Sequence, residues 1–409
     1  MNVRRVAMVS FHTCPLARLG EGKAGGMNSY VRELGRRLAR LGIGVDIFTR
    51  QHGGNEPQEV ELAPGARVVH LPGGPGVASQ SGPLYLHLGS FTDALLGYAA
   101  KRGLSYDLLH AHYWLSGEVA RRLARAWNVP MVATFHTLAR TKEQALAAEE
   151  PPPRAQVEGE VVRDATLIIA TTPHEKESLV RLYGALPDRV EVAPCGVDLE
   201  LFRPVDREKA RRSLGLGAEK VVLFVGRLER IKGVELLLRT AAIMDGGDSV
   251  RVLIVGGDQG GGGEAARLKA LAGELGIQQR VRFAGRVEQT ALPTYYSAAD
   301  VCVVPSYYES FGLAALEAMA CGTPVVAARV GGLPWVVQHN RTGYLVPWHC
   351  PEPFANWLET LLSSEELRQK MGAAAYQFAQ SMGWEQVSAQ ILGIYTSLVT
   401  PGKVEAAIS

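Results

Sequence analysis

Short runs rich in Val, Ile and Leu alternate with longer amphipathic stretches along this chain, a pattern that predicts parallel strands joined by helices. Strands are predicted at Val6–Ser10, Val45–Thr49, Arg67–Leu71, Asp107–Tyr113, Met131–Phe135, Thr166–Ala170 and Arg189–Val192. Between the first two, Asn28–Leu41 places Val31, Leu34, Leu38 and Leu41 at helical spacing, with Arg32, Arg36 and Arg37 off that stripe. At residues 194–204, PCGVDLELFRP, the period lapses among Pro and Gly, which marks a domain boundary. The alternation then restarts, with strands predicted at Val221–Val225, Val250–Val255, Val281–Ala284, Val301–Val304 and Val325–Ala328. The fold class expected is α/β: two doubly wound domains facing each other across a cleft lined by the carboxyl ends of their strands. The boundaries read are 1–195, 196–383 and 384–409. The last contains a helix, Trp384–Val399, that exceeds the needs of the second sheet and is expected to cross back onto the first domain.

Composition narrows the partners. The 409 residues exceed what one core usually serves, and 47% hydrophobic with 21% charged residues is an ordinary soluble balance. Residues 1–200 carry 22 basic and 21 acidic side chains, and residues 201–409 carry 21 and 20. Charge so evenly shared disfavours nucleic acid. Five cysteines (Cys14, Cys195, Cys302, Cys321, Cys350), widely spaced and never in a C-x-x-C pair, argue against a disulfide framework or structural zinc. The start, MNVRRVAMVSF, lacks the apolar core of a signal peptide, and no apolar run approaches the ~18 residues of a membrane span. A cytoplasmic protein is expected. Asn28–Leu41 and the segment with Arg121, Arg122 and Arg125 are basic enough to touch anionic lipid, but solvated helix faces are the preferred reading.

The chemistry concentrates at 305–327, PSYYESFGLAALEAMACGTPVVA. Glu309 precedes Ser310, Phe311 and Gly312, and Glu317 follows eight residues later. A helix starting near Gly312 would present free N–H groups beside Glu309 and carry Glu317 about a turn and a half along. A carboxylate accepts from two adjacent hydroxyls, so the order reads sugar grip, phosphate cradle, ribose grip. The alternative is a surface loop, a buried Ala-rich helix and an incidental Glu pair. In FVGRLERIKG, Arg227 and Lys232 stand after a strand, where two cations would neutralise a departing diphosphate; solvated surface charges are the alternative. With no D-x-D nearby, no Mg²⁺ site is implied and no cofactor is required.

Gly25 and Gly26 open a helix after the first strand, either to approach a phosphate or to meet a turn's dihedral needs. His110 and His112 share one face of a strand without a third metal ligand in view. His136 ends the next strand, where contact with a sugar and a strand-capping role are equally open. The run Gly256–Gly263 contains Gly260-x-Gly262-x-x-Ala265, formally a dinucleotide pattern but late in the chain, so an NAD-dependent oxidoreductase stands as a distant alternative.

Together GGMNSYV, VDIFTR, DLLHAHYWLSG, FHTL, FVGRLERIKG, ESFGLAALEAMACGTPVVA and RVGGLP resemble the retaining GT-B glycosyltransferases of family four over nearly the whole chain. Within that family the similarity is greatest to D-inositol-3-phosphate glycosyltransferases of mycothiol synthesis, and next to sucrose-phosphate synthases. The resemblance implies a GT-B enzyme of two Rossmann-like domains, with a UDP-sugar on the second and an acceptor on the first. It assigns Glu309 to the sugar hydroxyls, amides of Phe311, Gly312 and Leu313 to the donor, Glu317 to the ribose diol, and Arg227 with Lys232 to the diphosphate. It gives the Gly26 amide to the phosphates, the Arg286 backbone to uracil and His136 to the sugar near its reacting carbon. Asn28, Tyr113, Thr137 and Arg154 would face the acceptor, its phosphate held in the inositol-phosphate enzymes by a Lys, a Tyr, a Thr and an Arg. That Lys is missing from 72–90, PGGPGVASQSGPLYLHLGS, which leaves Lys142 as a substitute or a different acceptor. A small phosphorylated polyol or sugar is the acceptor expected, with a lipid, a polysaccharide or an unphosphorylated sugar as the alternative.

Overall fold

The computed structural model describes residues 3–18, 25–53, 56–74, 84–146, 150, 152–257 and 263–399. The chain divides into two compact units, Met1–Gly196 with Trp384–Ser409, and Val197–Gly383. The first is built on eight strands: β1 (Arg5–Val9), β2 (Gly44–Arg50), β3 (Glu59–Ala63), β4 (Ala66–Leu71), β5 (Leu108–His112), β6 (Met131–Thr134), β7 (Leu167–Ala170) and β8 (Val190–Val192). Their order is β3-β4-β2-β1-β5-β6-β7-β8, parallel throughout except where β3 pairs antiparallel with β4. The second unit carries β9 (Lys220–Val225), β10 (Val250–Val255), β11 (Val281–Gly285), β12 (Val301–Val304), β13 (Val325–Ala328) and β14 (Gly343–Val346), ordered β11-β10-β9-β12-β13-β14. Helices cover both faces of each sheet, so central strands such as β5, β12 and β13 are buried along their whole length and show no polar alternation.

Two strands, β3 and β14, escape the sequence pattern. Both lie at sheet edges, where one side lacks a neighbour and the run needs less apolar length. The first amphipathic helix spans Gly26–Arg40 and buries Tyr30, Val31, Leu34 and Leu38. Leu41, expected on that stripe, is exposed because the helix has ended and Gly42 turns the chain with φ +85°. Arg37, expected off the stripe, is buried, and its guanidinium pairs with Glu385 of the helix Trp384–Val399. That last helix does pack on the first unit. Trp384 meets the Tyr30 ring edge-on at 5.3 Å, and the Tyr395 hydroxyl lies 2.5 Å from Nδ1 of His110.

The basic segment beyond β5 is not an unpaired face. Arg121 donates to Glu118, Glu160 and Asp164, Arg125 to Asp164, and Arg122 to Glu118. Among the described residues no helix is long and apolar enough to cross a membrane.

Candidate active site

In each doubly wound sheet the chain leaves one strand toward neighbours on opposite sides, and loops diverge there to open a crevice at the strands' carboxyl ends. In the second unit that point lies between β9 and β12. The loop after β9 brings Lys232, and the loop after β12 brings Glu309. Lys232 Nζ donates to Glu309 Oε2 at 2.7 Å, joining side chains 77 residues apart that are 22% and 17% exposed. The backbone locks this meeting. Tyr307 N–H donates to Ile231 O at 2.8 Å, and Gly332 N–H to Glu309 O at 2.9 Å. Two glycines make the approach feasible. A Cβ on Gly233 (φ +71°) would stand 2.0 Å from Pro305 O, and one on Gly331 (φ +51°) 1.9 Å from Glu309 O.

Arg227 behaves differently from Lys232: it donates to Glu229 at 2.5 Å, with both side chains more than a third exposed. The helix Leu313–Ala320 starts as expected, with Gly312 at its N-cap in the left-handed region and Phe311 buried before it. Glu317 lies on this helix and accepts from the Tyr296 hydroxyl at 2.9 Å. Burial pushes the Glu317 carboxyl up to about 7, against the lowering effect of that hydrogen bond. Arg286 directly follows β11, whose Gly285 carbonyl accepts from Gly256 N–H at 2.8 Å.

In the first unit the corresponding point lies between β1 and β5. Among the described residues four that are not glycine have positive φ, and two follow strand ends here: Tyr113 (φ +76°) after β5 and His136 (φ +62°) near the end of β6. Such conformations cost energy and persist where surrounding structure imposes them, often at functional sites. His136 Nε2 lies 3.2 Å from His112 Nδ1, and burial lowers its pKa to about 3, so the ring is neutral. His110 is engaged on both sides, by Tyr395 and by Thr134 Oγ1 at 2.9 Å. No group of three or more His, Cys, Asp or Glu among the described residues is placed to hold a metal ion.

Gly26 begins its helix and is exposed. The Asn28 amide is spent inside the loop. It accepts from Gly25 N–H at 2.9 Å and donates to Thr13 Oγ1 at 2.9 Å and Cys14 O at 2.6 Å. The other four residues expected to meet the acceptor come together. Arg154 donates to Thr137 O at 2.8 Å and Thr137 Oγ1 at 2.9 Å, and its guanidinium stands 4.9 Å from the Tyr113 ring centroid. Arg154 also donates to Glu158 at 2.8 Å and to Glu150 at 2.6 Å, and Lys142 Nζ donates to the other Glu150 oxygen. Burial alone would lower the Arg154 pKa. The charge of Glu158 offsets this and holds it above its ordinary value.

The second half of the chain, residues 206–378, matches the model of the glycosyl transferases group 1 family, and residues 24–201 match that of glycosyltransferase family 4. A D-inositol 3-phosphate glycosyltransferase of Kribbella flavida is 46% identical over 404 residues, covering 96% of this chain and 95% of its own. The chain belongs to the family-four GT-B glycosyltransferases. A sucrose-phosphate synthase from Thermosynechococcus elongatus superposes with a TM-score of 0.87 at 37% identity, over 97% of this chain and 99% of its own. An Anabaena protein, HepE, solved with UDP and glucose, superposes with a TM-score of 0.78 at 22% identity, over 97% and 100%, which speaks to the fold alone.

As a GT-B glycosyltransferase the chain is not an NAD-dependent oxidoreductase. The Gly260 and Gly262 of that pattern, residues 75–83 of the Lys-less segment and the tail 400–409 lie outside the described residues. Sequence reasoning missed Glu150, Glu158 and Tyr296, and it weighed His112 only as a metal ligand. A signal for Glu158 existed: it stands four residues after Arg154, a spacing that places the two charges side by side on the helix Pro152–Asp164, whereas Glu150 precedes that helix.

Proposed function

We propose that this glycosyltransferase moves a glycosyl group from a UDP-sugar, of the UDP-N-acetylglucosamine or UDP-glucose type, to a small phosphorylated acceptor such as an inositol phosphate or fructose 6-phosphate. The donor sits on the second unit, with Glu309 on the sugar hydroxyls, Lys232 and Arg227 on the diphosphate, and Glu317 on the ribose diol. The amides at the start of the helix Leu313–Ala320 add partial positive charge for the diphosphate. The bond from the anomeric carbon to the diphosphate oxygen breaks, and the acceptor hydroxyl oxygen bonds to that carbon from the same face. The hydroxyl proton passes to the departing phosphate. Lys232 then stabilises charge that grows as the leaving group departs, which is where a fixed cation accelerates reaction.

The observation that carries the acceptor reading is the convergence of Lys142 and Arg154 on a single carboxylate, Glu150, with Thr137 and Tyr113 against the Arg154 guanidinium. Two cations gathered at one point are a ready cradle for an anion. The relatives named for D-inositol 3-phosphate support the same reading. Lys142→Ala tests it with little risk to folding, because the lysine's charged contact among the described residues is with Glu150. The expected result is a KM for the phosphorylated acceptor raised about tenfold or more, the scale of a charge-assisted hydrogen bond, with UDP affinity unchanged. An unchanged acceptor KM would contradict the placement.

A further inference from the structure

The cradle described above already holds an anion, and that anion belongs to the chain. Glu150 gives one carboxylate oxygen to Lys142 and the other to Arg154, with its own N–H turned to Glu143 at 3.4 Å. Burial by itself would raise the Glu150 pKa, but hydrogen bonding from Lys142 and the charge of Arg154 more than offset it and hold the carboxyl below its usual range. The two cations are not equally available. Arg154 is 1% exposed and pinned by Glu158, itself wholly buried, and by both oxygens of Thr137. Glu158 fixes the guanidinium in place through a buried ion pair. Lys142 is 24% exposed and Glu150 15%, so the replaceable part of the network is the carboxylate bridging them.

We propose that Glu150 is a specificity-determining residue that sets the charge an acceptor group must carry to enter this cradle. The inference rests on the acceptor reading proposed above. An incoming group has to take Lys142 and Arg154 from a carboxylate tethered a few residues away, whose effective concentration is high. A neutral hydroxyl or a monoanion gains nothing over the group it displaces. A phosphate monoester brings about −1.5 to −2 charge and three acceptor oxygens, so it does. Glu150 therefore lowers the affinity for every anion but filters in favour of dianionic ones. Phosphate monoesters would be accepted, while sulfate esters, carboxylates and phosphodiesters would be turned away.

The test uses the full chain and two probes of like shape, methyl phosphate and methyl sulfate, at about pH 8, where the phosphate has lost its second proton. Binding is read by calorimetry. Wild type is expected to bind methyl phosphate measurably and methyl sulfate not at all. In Glu150→Gln, which keeps size and removes charge, methyl phosphate should bind about tenfold tighter and methyl sulfate should become measurable. Adding Lys142→Ala to that variant should abolish the gain. Equal affinity of wild type for the two probes would overturn the proposal without any variant being made. So would Glu150→Gln binding methyl phosphate no tighter than wild type, which would make Glu150 a structural strut. The acceptor reading fails by a separate route: wild type turning over only unphosphorylated acceptors, whatever the probes show.

Discussion

Glu317 carries a titration that donor binding should expose. Burial raises its carboxyl from an ordinary 4.5 to about 7, so the folded chain holds this proton more tightly than an exposed carboxylate does. The resulting stability is present at low pH and is lost as pH rises through about 7. A ribose diol donates hydrogen bonds and favours the ionised form. UDP affinity is therefore expected to climb as pH rises through about 7 and level off above it. Glu317→Gln should weaken UDP and flatten that slope; calorimetry over the range reads both, and affinity falling with pH would refute the diol assignment. Gly331 makes a second prediction. Its left-handed φ and the 1.9 Å approach of a Cβ to Glu309 O mean that Gly331→Ala must both strain the backbone and push Glu309 aside. The strain alone costs ~1–2 kcal/mol, and turnover should fall further than stability does. Gly97→Ala, in a helix with nothing within 4 Å of the added carbon, is the control and should stabilise by ~0.5–1 kcal/mol. Chemical denaturation measures both.

The helix Trp384–Val399 belongs structurally to the first unit although it comes last in the chain. Tyr395→Phe would leave a ring nitrogen of His110 without its partner at full burial, at an expected cost of ~1–3 kcal/mol in unfolding free energy. A melting temperature equal to wild type would show that the contact contributes nothing. At this scale the sequence was legible wherever apolar residues run unbroken, as in VLIV of β10 or VCVV of β12. It was opaque at β3 and β14, short edge strands whose EVELA and GYLV read equally well as loop. Glu309 and Lys232 were legible as candidates because each follows a strand, yet their mutual contact was not, since nothing local links residues 77 apart. The positive φ of Tyr113 and His136 was invisible for another reason. Positive φ is uncommon for any residue other than glycine, His included though it tolerates the region better than Tyr, so no local signal marks the conformation and what surrounds it decides. Asn28 was placed at the acceptor by resemblance alone, and its amide is engaged by Thr13, Cys14 and Gly25, contacts that no local pattern announces.

Taken as a whole, the chain belongs to a family whose members transfer glycosyl groups, and the proposal places a nucleotide crevice on one doubly wound sheet and an anion cradle on the other. The two sites rest on different chemistry. The proposed donor side has Lys232 on a carboxylate, Arg227 beside Glu229 and a helix start, so on that reading charge neutralisation is built from side chains and backbone dipoles. On the proposed acceptor side Lys142 and Arg154 close around Glu150, so on that reading selectivity is a matter of charge. Each side can be perturbed without the other, as Lys142→Ala and Glu317→Gln are designed to do. The central claim, transfer from a UDP-sugar to a phosphorylated acceptor, is tested most directly by the initial rate of UDP release. Each acceptor would be offered as a matched pair, inositol phosphate beside inositol and fructose 6-phosphate beside fructose, with UDP-N-acetylglucosamine and UDP-glucose as donors. The account predicts release with at least one phosphorylated acceptor and none above background with its dephosphorylated partner. Release that is equal within each pair, or confined to the unphosphorylated sugars, would contradict it.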